Sequence, residues 1–253
     1  MSAPMMSVIL LTCNRLGVTK QTLEYLLATT HVDYELVIVH NHNQTKGAQQ
    51  VHDYIKPLKL AGTGALKKVV KVLNKKNRGV AGGRNDGIFR SSGTHKVYID
   101  DDILAPDCWA EEMLSIVEKV PQVATVGISV ESKNFGITER AGLKFQNKKG
   151  NIGGAFAMIP HRTFKRVGYL CEDYGVYGFE DADLYLRIHA LDKWNVYVHP
   201  MKAQHIDPEN DKEYRKFKDN VYDKDKSIMK AFNNNKKRYI KGEGLYIPYA
   251  PKI

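Results

Sequence analysis

At 253 residues, the chain is long enough to form one large α/β domain or two small ones. Hydrophobic residues make up 43% of it, which is ample for a core, but no apolar run approaches the roughly 20 residues that a bilayer-spanning helix needs. The three cysteines are odd in number and widely spaced, which argues against a zinc or disulfide framework. These features predict a soluble protein of the cytoplasm.

The net charge of +10 is unevenly distributed along the chain. Two stretches, residues 56–84 and 140–166, contain basic residues and no acidic ones. Such stretches are typical either of a surface that meets a polyanion or an acidic membrane, or of an ordinary lysine-rich surface. The sequence leaves both interpretations open.

The first half of the chain alternates predicted strands with predicted helices. Apolar, partly β-branched runs predict strands at 7–11, 34–39, 68–73 and 96–99, the first two of them buried. Helical spacing or breakers predict helices at 19–29, 47–58 and 85–91. This alternation predicts βαβ units, and therefore an α/β fold with a mostly parallel, Rossmann-like sheet flanked by helices. Each of the four strands ends in polar residues, and ligands of such sheets bind beyond the carboxyl ends of the strands.

The second half is less regular. We expect a helix at 106–118, a strand at 123–130, a mobile loop or edge hairpin at 134–151, and an apolar run at 153–159. A short helix at 162–167, a helix that starts at Glu180 and a strand at 196–198 follow. We assign residues 1–206 to one domain and 207–253 to a basic, tyrosine-rich extension packed on or near the acceptor side.

Three consecutive carboxylates, Asp100, Asp101 and Asp102, follow the fourth predicted strand. Adjacent carboxylates repel one another, so folding alone gives little reason to place them at a strand end. A divalent cation would turn the repulsion into binding, because hard cations are held by carboxylate oxygens. The alternative is a solvated acidic turn, but the neighbouring polar strand ends favour a binding site.

Five segments, taken together and in order, resemble the inverting nucleotide-sugar glycosyltransferases of family 2, which have the GT-A fold. They are residues 7–15, 77–88, 99–102, 153–156 and 177–187. The third contains the family's Asp-X-Asp element, which by itself is a weak signal. The resemblance extends over about residues 6–206 and implies a sugar transfer from a nucleotide-diphosphate donor to a hydroxyl acceptor.

The resemblance also implies roles for individual residues. Asp102 and His205 would bind a divalent metal (Mn2+ or Mg2+). His199 is a less favoured alternative to His205. Asp181 would be the catalytic base and Glu180 its neighbour, although two carboxylates at a helix start also cap helices. The residues expected to bind the nucleotide-sugar are Thr12, Asn14, Arg15, Asn41, Arg84, Asp100, Asp101 and Gly154.

One departure from the family concerns the nucleotide base. Relatives usually end the second strand with an acidic residue that accepts a hydrogen bond from uracil, whereas this chain has His40 and Asn41. Because an asparagine carbonyl is also an acceptor, a UDP-linked donor remains the expectation. For Arg84, contact with the diphosphate and simple packing of its loop are both open. Asp183 and Arg187, one turn apart, are expected to form a structural ion pair.

The acceptor is open between two classes of molecule. A glycan is the usual acceptor of the family, and tyrosines of the extension would stack on its sugar rings. The alternative is a phage-type enzyme, acting in the host cytoplasm on a hydroxymethylated DNA base, with lysines neutralising the phosphates. A non-catalytic protein that binds a nucleotide-sugar or a polyanion is a further alternative. A nucleotidyltransferase is less favoured, since no Gly-X4-Gly-Lys loop is present.

Overall fold

The computed structural model describes residues 6–42, 44–60, 64–131, 135–147, 151–206, 216 and 226–250. In the first half the elements are β1 (Met6–Thr12), α1 (Leu16–Thr29), β2 (Tyr34–Asn41), α2 (Lys46–Ile55), β3 (Leu66–Asn74), α3 (Gly79–Arg90), β4 (His95–Asp100) and β5 (Ile103–Leu104). In the second half they are α4 (Trp109–Lys119), β6 (Val123–Ser129), β7 (Ile137–Arg140), β8 (Leu143–Asn147), β9 (Phe156–Pro160), α5 (His161–Val167), α6 (Glu180–His189), β10 (Trp194–Lys202), β11 (Gln204–His205) and α7 (Lys226–Ile240).

The strands form one large sheet in the order β3-β2-β1-β4-β9-β6-β10-β8-β7. β1 pairs in parallel with both β2 and β4, and β2 pairs in parallel with β3, as the alternation of strands and helices predicts. β9 lies antiparallel between β4 and β6, so the complete sheet is mixed. The α/β fold class is therefore confirmed.

The apolar runs of β1 and β2 are buried because helices cover the sheet on both sides. Every residue of β2 is buried. Along β1, the consecutive residues Val8 and Ile9 point to opposite faces of the sheet and belong to different core clusters. Trp109 on α4 anchors the first cluster, and Tyr185 on α6 lies in the second. A strand buried on both faces has no polar face, which is why its sequence shows no alternation.

The region from 134 to 151 forms an edge hairpin where it is described. β7 and β8 pair antiparallel, and β8 adds to the sheet beside β10. Residues 134 and 148–150 lie outside the described residues. Of the two structures that the sequence left open for this region, the edge hairpin is confirmed.

Three predicted helix starts were wrong. α1 begins at Leu16 rather than Thr19, α3 at Gly79 rather than Asn85, and α4 at Trp109 rather than Pro106. α3 contains glycines that disfavour a helix by local propensity, but they let it lie close to the sheet. A Cβ at Gly83 would lie 2.5 Å from Leu11 Cδ1, and one at Gly87 would lie 2.4 Å from Ile9 Cγ2. Close packing therefore outweighs local propensity here.

The described part of the extension packs against the domain. α7 contacts α6, and Ile247 forms a parallel bridge with Gly168. None of the described helices is long and apolar enough to cross a membrane. The division of the chain at residue 206 stays a prediction.

Candidate active site

A cavity of about 760 Å3 opens at the carboxyl ends of β1, β2 and β4. Its walls also include the first turn of α2, the start of α3 and part of the loop before α6. Of the residues predicted from the sequence, it is lined by Thr12, Asn14, Arg15, Asn41, Asp100, Asp101 and Asp102. The structure thus brings together most of the predicted donor site from separate strand ends.

Arg15 binds two carboxylates of the acidic triplet. One terminal nitrogen of its guanidinium lies 2.5 Å from Asp101 Oδ1 and 2.8 Å from Asp102 Oδ2. The Thr22 hydroxyl on α1 donates to the carbonyl of Asp101 at 2.8 Å. Burial raises the pKa of Asp101, while the charge of Arg15 opposes this change. Asp101 is therefore held by the loop after β1 and by α1, and it supports the triplet.

Asp102 and His205 contact each other. β11 pairs with β5, opposite Ile103, and this places His205 Nε2 3.3 Å from Asp102 Oδ2. Burial alone would raise the pKa of Asp102, but hydrogen bonds from His205 and Arg15 outweigh it and lower that pKa to about 2. His199 instead pairs with the side chain of Gln146 at 3.3 Å. Of the two candidate histidines, His205 is the one that the structure places beside Asp102.

Arg84 joins the triplet to the predicted base. Its guanidinium donates to Asp181 Oδ1 and to Asp100 Oδ1, each at 2.6 Å, and to the Gly154 carbonyl at 3.0 Å. The same guanidinium lies 4.5 Å from the ring centroid of Tyr98. Only 2% of the Arg84 side chain is exposed, against 36% of Asp100 and 25% of Asp181. Arg84 therefore lies behind the two carboxylates and does not line the cavity.

The electrostatics of this bridge follow from burial and charge. Burial alone would lower the pKa of Arg84, but Asp181 and Asp100 outweigh it and keep the guanidinium charged. Burial and the adjacent charge of Asp102 raise the pKa of Asp100 to about 6, against the opposing charge of Arg84. The positive charge of Arg84 is thus shared between the carboxylates of Asp100 and Asp181.

Gly154 leaves room for the side chain of Asp181. A Cβ at position 154 would lie 1.7 Å from Asp181 Oδ2, which is far inside van der Waals contact. The two residues meet because Gly154 lies two residues before β9 in the middle of the sheet, while Asp181 lies in the first turn of α6. From the sequence, we expect this glycine to let the backbone lie close to a ligand. In the structure it lets the backbone lie close to the side chain of Asp181.

Glu180 is buried at the start of α6. Its Oε2 accepts a hydrogen bond from the Gly178 N–H at 2.8 Å. Burial, and after it the charge of Asp181, raise the pKa of Glu180 to about 7, against the opposing charge of Arg84. The predicted helix start is confirmed. The Asp183–Arg187 ion pair is also confirmed, with both residues fully buried and Nε 2.7 Å from Oδ1.

Asn41 lines the cavity, but its amide is engaged within the protein. Its nitrogen donates to the Gly79 carbonyl at 2.8 Å, and its oxygen accepts from the Asn74 side chain at 3.0 Å. His40 points to a cluster with His42 and His52, whose ring centroids lie 5.6 and 5.7 Å from its own. Recognition of uracil by Asn41 stays a prediction.

Some cavity residues were missed in the sequence. Thr45, Lys46 and Gly47 line the wall at the start of α2, where the Thr45 hydroxyl caps the helix by accepting from the Ala48 N–H at 3.2 Å. A threonine three residues before an alanine is a weak signal for a helix cap. Only the short loop after β2 indicated that the start of α2 lies near the cavity. Tyr98, which lies against Arg84, was also missed because an apolar strand gave no reason to single it out.

The predicted metal ligands fit a divalent cation in chemical type. Asp102 supplies a carboxylate and His205 an imidazole, a combination that suits Mn2+ better than the oxygen-preferring Mg2+. Within the described ranges, three ligand atoms meet within 4.8 Å only at His31, Asp107 and Cys108, on the surface. Two protein ligands are sufficient when substrate phosphates and water complete the coordination, as is common for cations bound with nucleotides.

The fold is shared with glycosyltransferases of known structure. A mannosyltransferase from Pyrobaculum calidifontis, solved in complex with GDP-Man and Mn2+, matches with a TM-score of 0.60 at 16% identity, over 94% of this chain and 70% of that one. GalNAc-T7, solved with UDP, GalNAc and Mn2+, matches with a TM-score of 0.61 at 13% identity, over 81% of this chain and 44% of that one. At such low identity, the likeness establishes the GT-A fold alone.

Sequence comparison identifies the family. The profile of Glycosyl transferase family 2 matches residues 7–180, and the chain belongs to this family. A glucosyl-dolichyl phosphate glucuronosyltransferase from Haloferax volcanii is 31% identical over 110 residues, which are 44% of this chain and 32% of that protein. The chain therefore matches about a third of the length of that relative.

Proposed function

We propose that the protein is a metal-dependent inverting glycosyltransferase, which moves a sugar from a nucleotide-diphosphate donor to a hydroxyl acceptor. The observation that carries the proposal is the Arg84 bridge. One buried cation joins Asp100, at the wall of the cavity, to Asp181, whose side chain is partly exposed. Groups suited to bind a donor and to accept a proton are thus held in a single arrangement.

Asp181 is the proposed base. As the acceptor oxygen attacks the anomeric carbon, its proton passes to the Asp181 carboxylate, and the nucleoside diphosphate leaves from the opposite face. Arg84 donates a hydrogen bond to one oxygen of Asp181 and thereby fixes the orientation of its carboxylate. Asp102 and His205 would hold the divalent cation, which when bound offsets the negative charge on the leaving diphosphate.

A thermal-shift screen of nucleoside diphosphates, with and without Mn2+, tests donor and metal binding together. A ligand at 100 times its Kd stabilises the folded state by about 2.7 kcal/mol, which raises Tm by roughly 5–10 °C for a chain of this size. We expect the largest shift with UDP and Mn2+ together. Equal shifts with and without metal for every nucleotide would contradict the proposal.

Substitutions separate donor binding from transfer. Asp102→Asn should abolish the metal-dependent shift, whereas Asp181→Asn should keep the shift and lose transfer. Asp53→Asn, at an exposed position of α2, is the control and should keep both. Wild-type transfer rates in both Asp102→Asn and Asp181→Asn would refute the assignment.

We further propose that the acceptor hydroxyl belongs to a glycan, as the family relative named for glucosyl-dolichyl phosphate suggests. A DNA acceptor is the second candidate, because α7 carries five basic residues and no acidic one: Lys226, Lys230, Lys236, Lys237 and Arg238. Salt distinguishes the two candidates. DNA binding weakens about 10³–10⁵-fold between 50 and 200 mM salt for six to ten phosphate contacts, whereas glycan transfer should change little.

A further inference from the structure

α7 packs against the turn that presents Glu180 and Asp181. The ring of Phe232, on α7, stacks on Phe179 with centroids 4.6 Å apart and an interplanar angle of 23°. Phe179 directly precedes Glu180 and has a left-handed backbone, with φ of 58°. Because this conformation is unfavourable for a non-glycine residue, neighbouring contacts must hold it in place.

A second group of contacts holds Asp183, which lies in the first turn of α6. Asp183 is fully buried, and its Oδ2 accepts from the Tyr174 hydroxyl at 2.5 Å and from the Tyr239 hydroxyl at 2.7 Å. Tyr239 belongs to α7, as does Asn235, whose side chain donates to the Tyr174 hydroxyl at 2.8 Å. A buried carboxylate with several donors is fixed in position, because each lost donor leaves part of its charge uncompensated.

We infer that α7 is a positioning element for the proposed base. Asp181 lies between Phe179 and Asp183, and α7 contacts both of these neighbours. Arg84 fixes one carboxylate oxygen of Asp181, but the backbone under that side chain is set by the turn. This inference rests on the proposed function, and it gives the described part of the extension a role in transfer. α7 acts here through Phe179, Tyr174 and Asp183.

The inference predicts a specific kinetic signature. Displacing a catalytic group by about 1 Å can cost on the order of 100-fold in rate, so Phe232→Ala should lower kcat about 10- to 100-fold. The side chains predicted to bind the donor lie on other elements, and only Val176 and Tyr177 of the cavity wall belong to the loop before α6. The KM for the donor and the thermal shift with Mn2+ and nucleotide should therefore stay within twofold of wild type. A purely structural role would instead lower the folded fraction, and kcat per folded molecule would stay at the wild-type value.

The experiment measures donor hydrolysis, with water as acceptor, on a panel of UDP- and GDP-sugars with Mn2+. The sugar that the wild type turns over fastest is then used for all variants, with the folded fraction of each measured by circular dichroism. Phe232→Tyr, which keeps the stacked ring, should restore most of the kcat lost in Phe232→Ala. Met229→Ala, on the exposed side of α7, is the matched control and should match wild type.

Tyr239→Phe provides a second variant that keeps the ring and removes one donor to Asp183. Because one hydrogen bond is worth about 0.5–1.5 kcal/mol, we expect kcat to fall about 2- to 10-fold. If Phe232→Ala fails to fold, this variant decides. Wild-type kcat in folded Phe232→Ala, or in Tyr239→Phe when the first does not fold, would overturn the inference alone. A wild-type protein that is inert on every donor would overturn the proposed function itself.

Discussion

Arg84 is the residue whose surroundings most change the interpretation of its sequence motif. In the sequence it is one basic residue in a glycine-rich segment, for which contact with a diphosphate and packing of its loop are both open. In the structure it is buried between Asp100 and Asp181, with its guanidinium against Tyr98. Its charge therefore holds two carboxylates together.

Replacing Arg84 should lower both the free energy of unfolding and the rate of sugar transfer. Arg84→Gln leaves two carboxylates without their cation, and breaking a fully buried pair costs about 3–5 kcal/mol. Since both carboxylates are partly exposed, we expect roughly 2–3 kcal/mol, measured by urea unfolding. Arg90→Gln, at an exposed position of the same helix, should stay within about 0.5 kcal/mol of wild type. Equal stability of both variants would contradict the bridge.

Glu180 should make stability depend on pH. The unfolded chain releases its proton near pH 4.5 and the folded protein near pH 7, because burial and Asp181 disfavour the charged form. Between these values the folded state binds more protons, so stability should fall as pH rises, by on the order of 3 kcal/mol. Urea unfolding of wild type and Glu180→Gln at pH 4.5, 6 and 8 measures this contribution.

The variant should lose this part of the pH dependence. Glu24→Gln, which changes an exposed acid on α1, should keep the wild-type slope. A wild-type slope in Glu180→Gln would show that another group titrates in this range.

At the scale of elements, α3 shows why local propensity misplaced a helix start. Glycine costs a helix interior about 1 kcal/mol relative to alanine, and this helix contains several. Gly83 and Gly87 face Leu11 and Ile9 at distances that no side chain would fit. The helix is therefore stabilised by its closeness to the sheet, and the same closeness places Arg84 behind the carboxyl end of β4.

Gly87→Ala should destabilise the protein although alanine is the better helix former. The new Cβ would lie 2.4 Å from Ile9 Cγ2 and 2.9 Å from Val39 Cγ2, and overpacking of a core costs about 1–3 kcal/mol. Gly17→Ala is the matched control, since its Cβ meets nothing within 4 Å in α1 and should stabilise by about 0.5–1 kcal/mol. Thermal unfolding of the two variants should shift in opposite directions, and a shared direction would contradict this account.

At the scale of the whole molecule, the carboxyl-terminal segment returns to the first half of the chain. Tyr249 donates to Asp86 Oδ1 at 2.8 Å and stacks on Phe89 with centroids 4.4 Å apart. Asp86 also accepts from Asn74, at the end of β3, at 2.9 Å. The segment thus ties β3 and α3 to the last described residues of the chain.

Removing this tie should weaken the whole fold. Tyr249→Ala loses the stacked ring and leaves Asp86 with one donor fewer, so we expect a loss of about 1–3 kcal/mol in urea unfolding. Tyr246→Ala, which changes an exposed tyrosine of the same segment, should stay within about 0.5 kcal/mol. If the two variants unfold alike, the segment does not contribute as described.

Local patterns were enough to predict the parallel half of the sheet. β1 and β2 appear as apolar runs because both of their faces are buried, and polar residues follow β1, β2 and β4 because these strand ends meet a cavity. β3, at the edge of the sheet, is mostly half-buried. Asp183 and Arg187 pair as their spacing of one helical turn predicts. The position of β9, antiparallel between β4 and β6, was not predictable, since nothing in a short apolar run indicates its neighbours.

The sequence by itself determined the fold class, the family, and the acidic triplet with its candidate partners. These follow from short-range periodicity and from motifs whose residues are close in the chain. Only the tertiary structure decided that Arg84 joins Asp100 to Asp181, that His205 lies beside Asp102, and that Tyr239 binds Asp183 across 56 positions. Each of these contacts joins residues that are far apart in the sequence. Such contacts form only when distant elements pack together, so no local sequence pattern predicts them.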